Sequence, residues 1–242
     1  MITPAALSLV LTLAAGPLGA QDPLTTIPEA YQVQFENDWV KVVRVRYAAG
    51  AKLPVHTHPA GTTAYVYLND SEGVVFRHDS GGNRVVTRPA VKAGSLRVAA
   101  GLSETHNAEN PSAVASDFLS VQFKTDAKGE RNLRRRIPAS NGGVTDVVVR
   151  EEFANAQMRI TRLILPPGTS TEVRTTEAQP ALLVALASSR LTVARASSVD
   201  LSLAIGQEHW VETRQRELVT NTGSTTVELI RIDLLTAPAT AG

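Results

Sequence analysis

The chain has 242 residues, of which 43% are hydrophobic and 19% charged, with 24 Lys and Arg against 23 Asp and Glu. A net charge of +1 spread along the chain leaves no basic footprint for nucleic acid or an anionic membrane surface, so a small-molecule partner is the default. Cysteine is absent, which excludes disulfides, thiolate metal sites and a cysteine nucleophile, and restricts any metal to nitrogen and oxygen donors.

Residues 5–15 form an uncharged apolar run, followed by Gly16, Pro17, Leu18, Gly19 and Ala20 and then by polar Gln21 and Asp22. This order predicts a secretory signal peptide over 1–20, cleaved after Ala20, and a secreted or periplasmic mature protein. The run is too short to span a bilayer and no later segment is long enough, so stable membrane insertion is not expected. The remaining 222 residues suit one large domain or two of about 100–110.

Beyond residue 30, short runs rich in β-branched and aromatic residues at 39–47, 64–68, 73–78, 84–87, 96–99 and 118–123 predict strands. Turn residues such as Asn69-Asp70 and the 79–83 segment separate them, and many short strands at close spacing predict a sandwich or barrel. After Lys124 the sequence turns polar, with Arg134, Arg135 and Arg136, then Pro138, Ser140 and Gly143, and reads as a linker over 126–143. The three arginines are expected to be solvated there rather than to form a binding patch.

The second half then repeats the first at an offset of 118 residues. Val42–Tyr47, ending at Gly50, corresponds to Arg159–Leu165, ending at Gly168, and Tyr65-Val66 to Leu183-Val184. An N-terminal unit over 27–125 and a C-terminal unit over 144–237 are therefore expected to be two copies of one all-β fold.

Three of the five histidines have a spacing with chemical meaning: His56 and His58, two apart, and His106 some fifty residues on. On a strand, alternate residues share a face, so His56 and His58 would aim both imidazoles into one interior. Glu104 and His106 would share a face in the same way. His78 is expected in solvent at a hairpin end, and His209, beside Trp210, packed.

These residues resemble the motifs of the cupin superfamily. Gly50, His56-Thr57-His58 and the strand Tyr65-Val66-Tyr67-Leu68 follow its first motif, with Thr62 where a Glu is usual. Gly94, Gly101, His106 and Asn110 follow its second motif, with a longer stretch between Gly101 and His106. The resemblance implies tandem cupin jelly-roll barrels, or double-stranded β-helices. It implies His56, His58 and His106 as ligands of a divalent ion (Fe, Mn, Zn, Ni or Cu). Glu104 and Thr62 are candidates for an additional ligand, and Tyr65 and Tyr67 for lining of the site.

In the second copy the constant offset puts Arg174, Thr176 and Pro180 at the positions of His56, His58 and Thr62, and Glu217 falls four residues before Asn221 as His106 falls four before Asn110. No ligand set remains, so a metal-free barrel is expected, with Arg174 and Glu217 forming an internal salt bridge or facing solvent, and binding of a charged small molecule between them as the alternative. Binding of a small molecule in the first barrel is the expected function, and a metal-dependent oxidoreductase or isomerase, of dioxygenase or isomerase type, is the alternative. A homo-oligomer is compatible with either.

Overall fold

The computed structural model describes residues 22–78, 84–128, 133–140, 143–195 and 197–238. The expected signal peptide, the 79–83 turn and parts of the expected linker lie outside these residues. After a short helix, α1 (Pro23–Thr26), capped by the Asp22 side chain, the described residues are organised as strands.

The first barrel comprises β1 (Tyr31–Glu36), β2 (Val40–Tyr47), β3 (Lys52–His58), β4 (Gly61–Tyr67), β5 (Val74–His78), β6 (Arg84–Arg88), β7 (Leu96–Gly101), β8 (Glu104–Glu109) and β9 (Ser116–Phe123). A further strand, β10 (Arg134–Ile137), lies inside the stretch expected to be a linker and pairs with β7. The second barrel comprises β11 (Val148–Ala154), β12 (Met158–Leu165), β13 (Ser170–Arg174), β14 (Ala181–Ala185), β15 (Ser189–Ala194), β16 (Ser198–Leu203), β17 (Glu208–Val211), β18 (Arg216–Asn221) and β19 (Val227–Leu234).

Strand order confirms the repeat. The large sheets run β1-β2-β9-β4-β7-β10 and β11-β12-β19-β14-β17, and the small sheets β3-β8-β5-β6 and β13-β18-β15-β16. The two copies even share their turn chemistry. Asn110 donates through Nδ2 to the carbonyls of Tyr47 and Val114 and accepts from the Ser112 amide, while Asn221 donates to Leu165 and Thr225 and accepts from Gly223. Each buried amide thereby closes one end of its barrel with its hydrogen-bonding capacity used.

The central strands are buried on both faces, which is why they read as nearly continuous apolar runs. In β2, Val43, Val45 and Tyr47 point into the first barrel, and Val40 and Val42 point out of it. The outward set joins Ala64, Val66, Leu96, Val98, Leu119 and Val121 in a cluster with Met158, Ile160, Leu182, Val184, Ile230 and Ile232 of the second barrel. The two large sheets thus pack face to face, and Ile137 carries β10 into the same cluster.

This contact is near-symmetric. Arg44 of β2 holds Asp117 with two hydrogen bonds, at 3.0 and 2.8 Å, and reaches the Ile205 carbonyl of the other barrel. Its counterpart Arg162 of β12, fully buried, donates to Glu152 at 2.6 Å, to Glu228, and across the contact to the carbonyls of Gly94 at 2.8 Å and Pro138 at 3.3 Å. Gly94 and Gly206 both have positive φ, and a Cβ on Gly206 would meet Leu68 at 2.6 Å. A side chain there would be strained twice, by its own backbone and by its neighbour.

Truncating Arg162 would leave Glu152 and Glu228 without their shared cation and two carbonyls without a donor. Arg162→Ala is expected to lower unfolding free energy by about 3–5 kcal/mol, read from urea denaturation of the full chain. Arg44→Ala, at a partly exposed position, should cost less.

Candidate metal centre

Five inward-facing side chains converge on three adjacent strands of the first small sheet. In the β3–β8 ladder His56 is opposite His106 and His58 opposite Glu104, and in the β5–β8 ladder His78 is opposite His106. Residues opposite one another across a ladder share a face, so register alone gathers His56, His58, Glu104, His106 and His78. Ring centroids are 4.8 Å apart for His56 and His106, 4.9 Å for His56 and His58, 5.1 Å for His58 and His106, and 5.2 Å for His78 and His106.

Donor atoms of His56, His58 and His106 lie within 4.8 Å of one another, as do those of His78, Glu104 and His106. His106 belongs to both groups. It is buried, and neither of its ring nitrogens has a hydrogen-bond partner. Buried polar atoms without a partner are uncommon and costly, and an imidazole with two free nitrogens between other imidazoles has the character of a ligand. The donor set, neutral nitrogen with a carboxylate nearby, suits a divalent transition ion.

Burial favours the neutral form of His56, His58 and His106. His58 is pushed down to about 4 by desolvation, then by His56 and Arg88, and His106 to about 2 by desolvation, then by His58, His56, His78 and Arg88. Desolvation lowers His56 as well, against a hydrogen bond to the Pro54 carbonyl that raises it. Neutral imidazole is the ligating form.

His56 is oriented by partners that sequence reasoning missed. Its Nδ1 lies 2.8 Å from the Pro54 carbonyl, which can only accept, so Nδ1 carries the proton and Nε2 the lone pair. The Tyr31 hydroxyl lies 3.0 Å from Nε2 and 2.7 Å from the Tyr47 hydroxyl, giving a chain in which Tyr47 donates to Tyr31 and Tyr31 to His56. Burial raises both phenols, Tyr47 to about 12, so they stay protonated. Tyr31 opens β1, a strand absent from the sequence reading, and only the β1–β2 ladder brings it opposite Val45, inside the barrel.

The expectations of Thr62 as a ligand, Tyr67 as lining and His78 in solvent are corrected, whereas Glu104 and Tyr65 stand at the site as expected. Thr62 shares the outward face of Ala64 and Val66 on β4, so its side chain points away from the histidines, and Thr63 occupies the inward position with Tyr65 and Tyr67. Of the two tyrosines, Tyr65 stacks beneath Arg97 and Tyr67 packs 5.7 Å from Phe118 in the core. Glu104 lies beside His106 but is partly exposed, with Arg134 3.8 Å away. His78 faces the cluster from β5 instead of standing clear of it.

The second barrel is corrected by one residue. A bulge between Leu53 and His56 lengthens β3, whereas β13 is regular, so Val173 stands opposite Glu217 as His56 stands opposite His106. The first histidine is thus replaced by a fully buried valine, and Arg174 is exposed and pairs with Glu172 rather than Glu217. Glu217, wholly buried, is held by Arg195 and by His209 Nε2 at 2.9 Å. His209 is therefore a hydrogen-bonded member of this interior, not only a packed ring.

No protein-family profile matches the sequence, and no curated protein matches it. Solved structures do. AerE from Microcystis aeruginosa is similar with a TM-score of 0.62 at 17% identity, over 85% of this chain and 91% of that one. The bacterial pirin YhhW from Escherichia coli, in complex with nickel(II), gives 0.60 at 13% over 86% and 91%, and a cupin 2 conserved barrel domain protein from Leptotrichia buccalis 0.50 at 10% over 84% and 88%.

The fold is that of the cupin superfamily, present twice in one chain. Within that fold this is a two-barrel protein whose first interior is lined by histidines and whose second is closed by a carboxylate.

Unfolded histidines gain protons from about pH 6.5 downward, while His58 resists until about 4. The unfolded state then binds more protons, so stability should fall as pH drops from 6.5 toward 4, before carboxylates contribute. His58→Gln should flatten this decline in Tm measured against pH. Parallel curves would assign it to other groups.

Proposed function

We propose that the first barrel binds a small molecule at a divalent metal ion held by His56, His58 and His106. The observation that carries this reading is His106, buried among other imidazoles with both ring nitrogens unpartnered. Bound there, the ion would supply Lewis acidity toward a ligand oxygen. The chain's own residues would set the rest: Pro54 fixes the His56 tautomer, Tyr31 competes for the same Nε2, and Glu104 or His78 stands next to His106 as a further donor. The nickel(II) complex of YhhW supports the reading by analogy of fold.

A cavity of about 280 Å³ opens beside the cluster, lined by His58, Glu104 and His106 together with Tyr31, Tyr65 and Phe76. It lies just below the range of drug-sized ligand pockets, which favours a small ligand. The alternative, a metal-dependent enzyme of dioxygenase or isomerase type, draws support from the Tyr47–Tyr31–His56 chain, which puts exchangeable protons at the edge of that cavity. The second barrel, with its interior sealed by Glu217, serves structure.

Export belongs to the same proposal. It rests on the 5–15 apolar run and the small residues before Gln21, with a division into a signal at 1–20, barrels at 27–125 and 144–237, and the connection 126–143. Among the described residues no helix is long and apolar enough to cross a membrane.

Elemental analysis of the purified mature protein tests the metal. Stoichiometric metal is expected in the wild type, with at least tenfold loss of affinity in His56→Ala and His106→Ala. Background metal in the wild type, or unchanged content in both variants, would sink the assignment. Retention in Glu104→Ala with loss in His78→Ala would make His78 the fourth donor. Mass spectrometry of the protein recovered outside the cytoplasm should give an N-terminus at Gln21.

A further inference from the structure

The wall of the first barrel facing the histidines carries an excess of positive charge. Lys41, Arg88, Arg97, Lys124 and Arg134 all line the cavity, and Glu104 is its only acidic lining residue. Three of these cations are answered by the protein. Lys41 and Lys124 pair with Glu36, and Arg134 with Glu104 and the Ala100 carbonyl.

Arg88 and Arg97 are not. Among the described residues neither has an ion pair, and Arg97 Nε is buried without a hydrogen-bond partner. They come from different sheets, Arg88 from the end of β6 and Arg97 from β7, and converge over the same aromatic wall. The Arg97 guanidinium lies 4.1 Å from the Tyr65 ring centre, and that of Arg88 lies 4.4 Å from the Phe76 ring centre and 5.8 Å from that of Tyr65. Stacking holds the planar groups in place but leaves their in-plane donors free. Two like charges brought together without a counter-ion oppose one another, and burial adds to the cost.

The second barrel shows how this fold answers such a cation. Tyr65 is opposite Arg97 as Leu183 is opposite His209, and His106 is opposite His78 in the first barrel, where the second has Glu217 on β18 and Arg195 just past the end of β15. His209 therefore stands where Arg97 does, and both it and Arg195 are held by the internal carboxylate Glu217 at the His106 position. In the first barrel His106 stands in place of that carboxylate, the space in front of it is a cavity, and Arg97 remains there with Arg88 beside it, while His78 takes the place of Arg195.

We propose that Arg88 and Arg97 form an anion site that binds the carboxylate of a small organic acid in the cavity beside the histidines. Guanidinium forks match carboxylate geometry with paired hydrogen bonds, and the aromatic wall of Tyr65, Phe76 and Phe118 contacts the organic body. The inference rests on the first barrel as a small-molecule site but not on bound metal.

Isothermal titration calorimetry of the full mature chain, stripped with EDTA or supplemented with nickel(II), tests it with malonate and its neutral isostere malonamide. Malonate should bind at least tenfold more tightly than malonamide, and Arg88→Gln and Arg97→Gln should each weaken malonate at least tenfold with unchanged melting. Equal binding of the two probes, or no malonate binding, overturns the proposal, as does undiminished malonate affinity in folded Arg88→Gln. Should Arg97→Gln fail to fold, Arg88→Gln and the wild-type comparison decide. Nickel content of the supplemented sample keeps the two readings distinct: malonate selectivity in the stripped protein upholds the anion site whether or not nickel binds, and bound nickel without selectivity overturns the anion site and leaves the metal reading standing.

Discussion

The apolar contact between the two large sheets is the constraint on which the rest of the molecule depends. It buries the outward faces of β2, β4, β7 and β9 against those of β12, β14 and β19, so the central strands are enclosed on both sides. Burial on that scale is the dominant favourable term in folding. Arg44 and Arg162 add direction to it, since each is anchored by carboxylates of its own barrel and reaches a carbonyl near the turn glycine of the other. Two homologous units thereby fit together in one near-symmetric arrangement inside a single chain.

With so much apolar burial lying between the barrels, their interiors are free to diverge. The second interior has an apolar core, and the polar cluster of Glu217 with Arg195 and His209 is closed on itself. The first interior keeps apolar packing away from the cavity, around Tyr67, Val74 and Ala108, and gives its mouth to imidazole, phenol and guanidinium. At equivalent positions one copy supplies its own anion and the other offers unpartnered nitrogen donors. That difference, more than the histidine spacing alone, supports the proposal of binding in the first barrel.

The strands that carry the histidine cluster have the weakest sequence signature. Strands β2, β4, β7 and β9 announce themselves by β-branched runs, because both their faces are buried in apolar surroundings. Strands β3 and β8 carry Lys52, Pro54 and His56, or Glu104, Thr105 and His106, and show no apolar alternation, because their inward face lines a polar mouth. The same absence hid Tyr31 on β1. The bulge before His56 has no sequence signature either, and it shifted the expected counterpart from Val173 to Arg174.

By itself the sequence determined the all-β class, the tandem repeat, the turn glycines at 50, 94, 168 and 206, and the pairing of His56 and His58 with His106. These follow from local chemistry: alternation along a strand, φ preferences at turns, and motif residues close together in the chain. Only the tertiary structure decided that Thr62 faces outward, that His78 and Tyr31 join the cluster, that Glu217 binds Arg195 and His209, and that Arg88 and Arg97 stand unpaired over the cavity. Each of those depends on cross-strand register between segments distant in sequence, and a one-residue shift in register moves a side chain to the opposite face.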